Sequence, residues 1–256
     1  MRILLTFFLL LLAPFAANAD DKSDLAPNGT LRVALLLANP VLVTQKSDGT
    51  LAGVAVDLGR RLAEKLGARF QAVRYRDTET FAKSFGAQEW DVAIGPVTPI
   101  AEANADLSAP FMQVDNIYVA APGTQFASAA EVDRPGVRIA VVVNGAPDQY
   151  LSKTLKAASL VRVPGATDEI VEALRSGKAD AYGSNAENVQ AAADALPGSK
   201  IVPGAFRTVS MAIAIPKGKP AAAKETIESF VKEAKASGVV QKSITAAALK
   251  GVRVAN

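Results

Sequence analysis

Cysteine and histidine are absent from all 256 residues. Without them there is no thiol or imidazole to serve as nucleophile or general base, and no disulfide to brace an exported chain. The ligands that zinc and copper sites ordinarily use are missing as well. Any metal site would have to be built from oxygen ligands, and no acidic loop has the spacing of a calcium site. Nothing in the sequence asks for a cofactor. Aromatic residues make up 6% of the chain, with one tryptophan, Trp90. The formal net charge is only +3, and the basic residues are mixed with acids along helical stretches. The concentrated basic patch of a nucleic-acid binder is therefore lacking.

What is present starts with a leader. Arg2 precedes a nearly all-apolar run over residues 3–12, and Ala17-Asn18-Ala19 has the small-x-small form of a cleavage site. A membrane span needs about 20 apolar residues; this run is shorter, and Pro14 and Asn18 interrupt its end. The sequence therefore predicts a signal peptide over residues 1–19 and a periplasmic protein of residues 20–256. No second long apolar run follows. Half of the residues are hydrophobic and 21% are charged, the balance of a folded globule.

The body of the chain alternates two kinds of pattern. Leu31–Leu37 is a nearly continuous apolar run, broken only by Arg32, of the sort that suits a parallel strand covered on both faces. Asp57 precedes a helix with Leu58, Leu62 and Leu66 on one side and Gly67 at its end. Strands are expected at 70–75 and 92–95, with Phe81 and Phe85 on a short helix between them. A second unit has the same rhythm: strands at 137–143, 160–163 and 180–182, with a helix opening at Gly145-Ala146-Pro147, another from Thr167 to Gly177, and a third from Asn185. Strands at 116–121 and 209–215 flank this second unit, and a long helix over 220–237 carries Ile227, Phe230, Val231 and Ala234 on one stripe. This order predicts an α/β protein of two lobes, each a layered sheet, joined by a two-strand hinge. Residues 20–115 and 210–256 would form the first lobe, and 116–209, with the hinge strands, the second.

In this order the segments GTLRVALLLANP, GTLAGVAVDLGRRLAEKLG, WDVAIGPVTP, DLSAPF, GVRIAVVVNGA and ALRSGKADAYGSN resemble the periplasmic solute-binding proteins of the polar amino-acid uptake type, the bacterial extracellular solute-binding family 3. The resemblance runs over nearly all of residues 20–256. It implies a type II periplasmic-binding fold that closes on a small molecule and delivers it, as a monomer, to an inner-membrane ABC permease. It also implies a ligand set. Family members read Thr-x-x-Arg after the third strand, and the arginine grips an α-carboxylate; here the stretch is Thr98-Pro99-Ile100-Ala101. The family's Gly-Thr loop is Gly145-Ala146, the carboxylate that receives the ligand's amino group is replaced by Asn185, and Asn39-Pro40 stands where an aromatic residue is expected.

A zwitterion needs a partner for each charge, and both are substituted here. The expected ligand is therefore a small solute other than a standard α-amino acid, unless another arginine, such as Arg74 or Arg207, turns into the cleft. The candidate contacts are Asn39, Thr98, Ala101, Gly145, Ala146, Gln149, Ser184 and Asn185, with Tyr118 and Met211 on the hinge strands. Two rival functions keep the same fold. One is an interaction protein whose cleft serves a partner; the other is a dehydratase-like enzyme using Glu102, Asp148 or Glu187 as its acid or base. Catalysis is not expected, because no pair of these carboxylates has a clear arrangement.

Overall fold

The apolar run near the start forms β1 (Thr30–Leu36), and its alternating side chains fill two separate cores. Leu31, Val33 and Leu35 join one cluster, while Ala34 and Leu36 join another with Phe81 and Trp90 on the opposite face. A strand buried on both faces has no polar side, which is why its sequence does not alternate. These contacts come from a computed structural model that describes residues 24–143, 145–164 and 166–256. The expected signal peptide lies outside the described residues.

After β1 a small hairpin, β2 (Thr44–Gln45) and β3 (Leu51–Ala52), turns through Gly49. Helix α1 (Val54–Leu66) follows and starts earlier than Asp57, which lies in its first turn. Its Leu58, Leu62 and Leu66 are buried, and Gly67 closes it in the left-handed conformation, donating its N–H to the Ala63 and Glu64 carbonyls. Strands β4 (Arg69–Tyr75) and β5 (Val92–Pro96) lie parallel to β1 on either side. The short helix α2 (Thr78–Lys83) joins them and presses the Phe81 ring on Gly95, where an added Cβ would come within 3.3 Å of it.

The second unit repeats this plan. Strand β8 (Arg138–Val142) is parallel to β9 (Ser159–Val163) on one side and to β10 (Ala181–Asn185) on the other. Helices α4 (Ala146–Thr154), α5 (Thr167–Arg175) and α6 (Ala186–Ala195) connect or follow these strands, and the short α3 (Pro99–Asn104) follows β5 in the first unit. Thr167 is the first residue of α5, not its cap; the Glu169 carboxylate instead accepts the Ala166 N–H. Both units carry the same pin. Asp91, just before β5, accepts the Arg32 backbone N–H and two guanidinium bonds at 2.8–3.1 Å. Asp180, just before β10, does the same for Arg138 at 2.7–3.0 Å. Each pin ties the first strand of its unit to the third.

Two long antiparallel strands connect the units. β7 (Met112–Ala120) and β12 (Arg207–Pro216) pair from Met112–Met211 to Asn116–Arg207. β12 also pairs with β5, and β7 pairs with β10. The path across the molecule is therefore β4-β1-β5-β12-β7-β10-β8-β9, with short strands β6 (Ala105–Leu107) and β11 (Lys200–Ile201) beside it. Clusters built from residues 25–114 and 211–244 fill one side of the β7–β12 seam, and clusters from residues 118–202 fill the other. This is the two-lobed α/β fold expected from the sequence.

The tail adds a feature the sequence did not announce. Helices α7 (Ala221–Ala236) and α8 (Val239–Ala246) cover the first lobe, and β13 (Val252–Val254) then pairs with Met112–Val114 of β7. Arg253 makes an ion pair with Asp115, and Lys235 donates to the backbone carbonyl of Asn256 at 2.9 Å. A third strand thus flanks the first-lobe half of the hinge.

Candidate functional site

The parallel strands of each lobe end where the hinge strands cross. Asn39 follows β1, Thr98 follows β5, Gly145 follows β8, and Asn185 is the last residue of β10. Carboxyl ends of strands in open α/β sheets are where ligands bind, because side chains and helix N-termini converge there. Met211 pairs with Pro96 at the end of β5, and Asn116 pairs with Asn185 at the end of β10. The stretch of β7 from Met112 to Asn116 separates these two ends by about 13 Å.

Several of the expected contacts are engaged locally. Thr98 is the N-cap of α3, and its hydroxyl accepts the Ala101 N–H at 3.2 Å. Asn185 caps α6 in the same way, accepting the Asn188 N–H at 2.9 Å. The Asn39 carbonyl accepts from Leu42 and Val43 and shapes the loop after β1. Gly145 begins α4 beside the Val142 carbonyl, which an added Cβ would approach to 3.0 Å. Ala146 and Gln149 are exposed on the first turns of α4.

Four residues of the set are buried. Ala101 is only 2% exposed, its methyl packed beneath α3, so the position of the family's arginine presents no group to a ligand. Ser184 is 5% exposed, and its hydroxyl takes an N–H from the Asn188 side chain at 3.3 Å. Tyr118 and Met211 lie on the hinge strands as expected, but neither opens on a cleft. Tyr118 stacks on Phe206 at 4.4 Å within the second-lobe core, and Met211 is in the first-lobe core. Burial pushes the Tyr118 phenol well above its ordinary range.

The carboxylates considered for acid–base work lie on three different helices. Glu102 and Glu187 are exposed in the first turns of their helices. Asp148 is buried on α4, held by the Arg162 guanidinium at 3.0–3.1 Å and by the Ser152 hydroxyl at 3.1 Å. Among the described residues no cluster of His, Cys, Asp and Glu could hold a metal ion.

Of the two arginines named as substitutes, Arg74 is exposed on β4. Arg207 is different. It is half-buried at the start of β12, and its guanidinium carbon sits 4.8 Å over the Tyr150 ring on α4. Opposite it on β7 is Asn116, a buried polar residue that the sequence reading passed over as a strand start. A polar residue opening an otherwise apolar strand was the available signal.

Two pinned α/β lobes joined by a pair of crossing strands make the two-lobed type II periplasmic-binding fold. The chain belongs to the bacterial extracellular solute-binding proteins, family 3, whose model matches residues 31–246. Membership in this family gives it a substrate-binding role and implies a secreted or periplasmic protein. Among curated proteins it is similar to the cyclohexadienyl dehydratase of Pseudomonas aeruginosa, 26% identical over 176 residues. That match covers 67% of this chain and 65% of the dehydratase. Among solved structures it is similar to an ancestral cationic amino acid solute-binding protein, AncCDT-1, with a TM-score of 0.66, 21% identity, and 85% and 95% of the two chains covered. A mutant of ArgBP from T. maritima superposes with a TM-score of 0.61 at 23% identity, covering 88% and 98%. These two structures carry the type II periplasmic-binding fold to this chain, and nothing finer.

Proposed function

We propose that this protein is the periplasmic substrate-binding component of an ABC-type uptake system and that it closes on a small solute other than a standard α-amino acid. The observation that carries the reading is the state of the two clamp positions. Ala101 is buried, and the Asn185 carbonyl oxygen is spent on a helix cap. No carboxylate therefore stands where an ammonium group would be received, and burying that charge unpaired would cost several kcal/mol. The segregation of the cores on either side of the β7–β12 seam supports lobes of 20–115 with 210–256 and of 116–209. Cleavage after Ala19 would release the working chain as a monomer for an inner-membrane permease. The exposure of Glu102 and Glu187 and the ion pair that occupies Asp148 support binding over catalysis, despite the likeness to a dehydratase.

Thermal unfolding of residues 20–256 against amino acids, organic acids, polyols and oxyanions tests this. A ligand at 100 times its Kd adds about 2.7 kcal/mol, which for a chain of this size is about 5–10 °C. A shift with a solute outside the amino acids is expected. A comparable shift with a standard amino acid overturns the reading.

A further inference from the structure

The strongest unclaimed feature is a single rung across the hinge. Asn116 of β7 pairs with Arg207 of β12 on one side and with Asn185 of β10 on the other. Directly paired residues of antiparallel strands project from the same face, with neighbouring Cβ atoms about 5 Å apart. One cation and two amides are therefore set in a row where the strands of the second lobe end.

Each of the three has unspent hydrogen-bonding capacity. Beyond the backbone ladder, the Arg207 guanidinium has neither an ion pair nor a hydrogen bond among the described residues; it lies over the face of Tyr150. A guanidinium laid over a ring keeps its N–H donors at the edge, free for a planar acceptor. Asn116 is only 7% exposed, and its side chain has no partner among the described residues. No fully enclosed side-chain N or O atom in that set is unpaired, so the Asn116 amide opens on accessible space. Asn185 uses its carbonyl oxygen for the α6 cap, which leaves its NH2 group to donate. Two acids on adjoining elements are otherwise engaged: Asp115, next to Asn116, by Arg253 and Thr208, and Asp148, on the helix of Tyr150, by Arg162.

We infer that Arg207, Asn116 and Asn185 form the ligand-recognition rung of this protein and that its ligand is a small α-keto or α-hydroxy acid. The inference rests on the reading of a solute-binding protein given above. Arg207 pairs with the ligand carboxylate in the two-pronged manner that guanidinium favours. The amides donate to a carbonyl or hydroxyl oxygen on the adjacent carbon. An ammonium group at that carbon would meet donors and a like charge with no carboxylate to receive it.

Two matched series test this: pyruvate, lactate and alanine, and phenylpyruvate, phenyllactate and phenylalanine. Within each series the compounds differ only at the α-carbon. Residues 20–256 are titrated by calorimetry and thermal shift up to millimolar concentration. The keto or hydroxy member of at least one series is expected to bind, and its amino counterpart at least about 10-fold more weakly. Arg207→Gln and Asn116→Ala should each weaken that binding by about 10- to 100-fold, and Arg207→Lys should recover part of it. Each variant's shift is read against its own unliganded Tm, so a loss of stability is not mistaken for a loss of binding. Undiminished binding in Arg207→Gln, or binding of uncharged solutes with no response to these acids, overturns the rung while the non-amino-acid reading stands. So does silence toward both series. Preferred binding of alanine or phenylalanine overturns the rung and that reading together.

Discussion

The Asn185 side chain caps a helix and, in the proposed rung, faces the ligand, and the two roles can be separated. Its oxygen caps α6, and its place at the end of β10 puts it on the rung with Asn116 and Arg207. Asn185→Ala removes the cap and should cost about 1 kcal/mol in urea unfolding. Asn185→Asp keeps the cap oxygen and adds a charge that favours a helix N-terminus, so its stability should stay within about 0.5 kcal/mol of the parent. That variant also supplies the missing partner for an ammonium group, with Arg207 still available for a carboxylate. We expect it to gain a thermal response to amino acids that the parent lacks. An unchanged response pattern in a folded Asn185→Asp protein would show that position 185 does not face the ligand.

At the scale of elements, the pins and the tail strand set the stability. The Arg138 side-chain bonds, together with its backbone N–H, hold the Asp180 carboxyl below its ordinary value of 3.8. A carboxyl depressed in the folded state contributes stability that is complete above its unfolded value and disappears as the pH falls through the folded one. Asp180→Asn should therefore cost about 1–2 kcal/mol at neutral pH, and the gap from the parent should close as denaturation is repeated at pH values progressively below 3.8. A gap that persists there would assign the loss to packing. In the tail, Gly251 has a φ of +62°, and an added Cβ would lie 2.1 Å from the Ala186 methyl of the second lobe. Gly251→Ala is expected to cost about 2–3 kcal/mol in urea unfolding through overpacking and a strained backbone.

Strands β1 and β8 were legible because their apolar residues come nearly in succession, the stripe of α7 because it recurs at helical spacing, and the stop at Gly67 because a glycine closes the helix in the left-handed conformation. Strand β13 is only three residues long, too short for its Val-Arg-Val alternation to mark a strand. The rung was hidden for a different reason: residues 116, 185 and 207 meet only through strand register, which local pattern does not encode. Ser184 and Asn185 show how sharp that limit is, since a step of one residue along a strand changes which face a side chain joins.

The whole molecule is held without covalent cross-links, since it contains no cysteine, and its two lobes share continuous strands. Nine residues of β7 and ten of β12 run from one set of cores to the other. Closure of such a molecule bends these strands without unpairing them, because breaking the Met112–Met211 to Asn116–Arg207 ladder would strip buried backbone groups of their partners. Ligand shifts the equilibrium only as far as it binds the closed form more tightly. Saturation with the ligand found in the thermal panel should therefore lower the radius of gyration in small-angle scattering while the far-ultraviolet circular dichroism stays unchanged. The reduction should be lost in Arg207→Gln at the same ligand concentration, because the cation at the crossing no longer draws the solute in. A saturated protein whose scattering matches the free one would mean that the lobes are already fixed, and that binding occurs without the hinge motion that family proteins use.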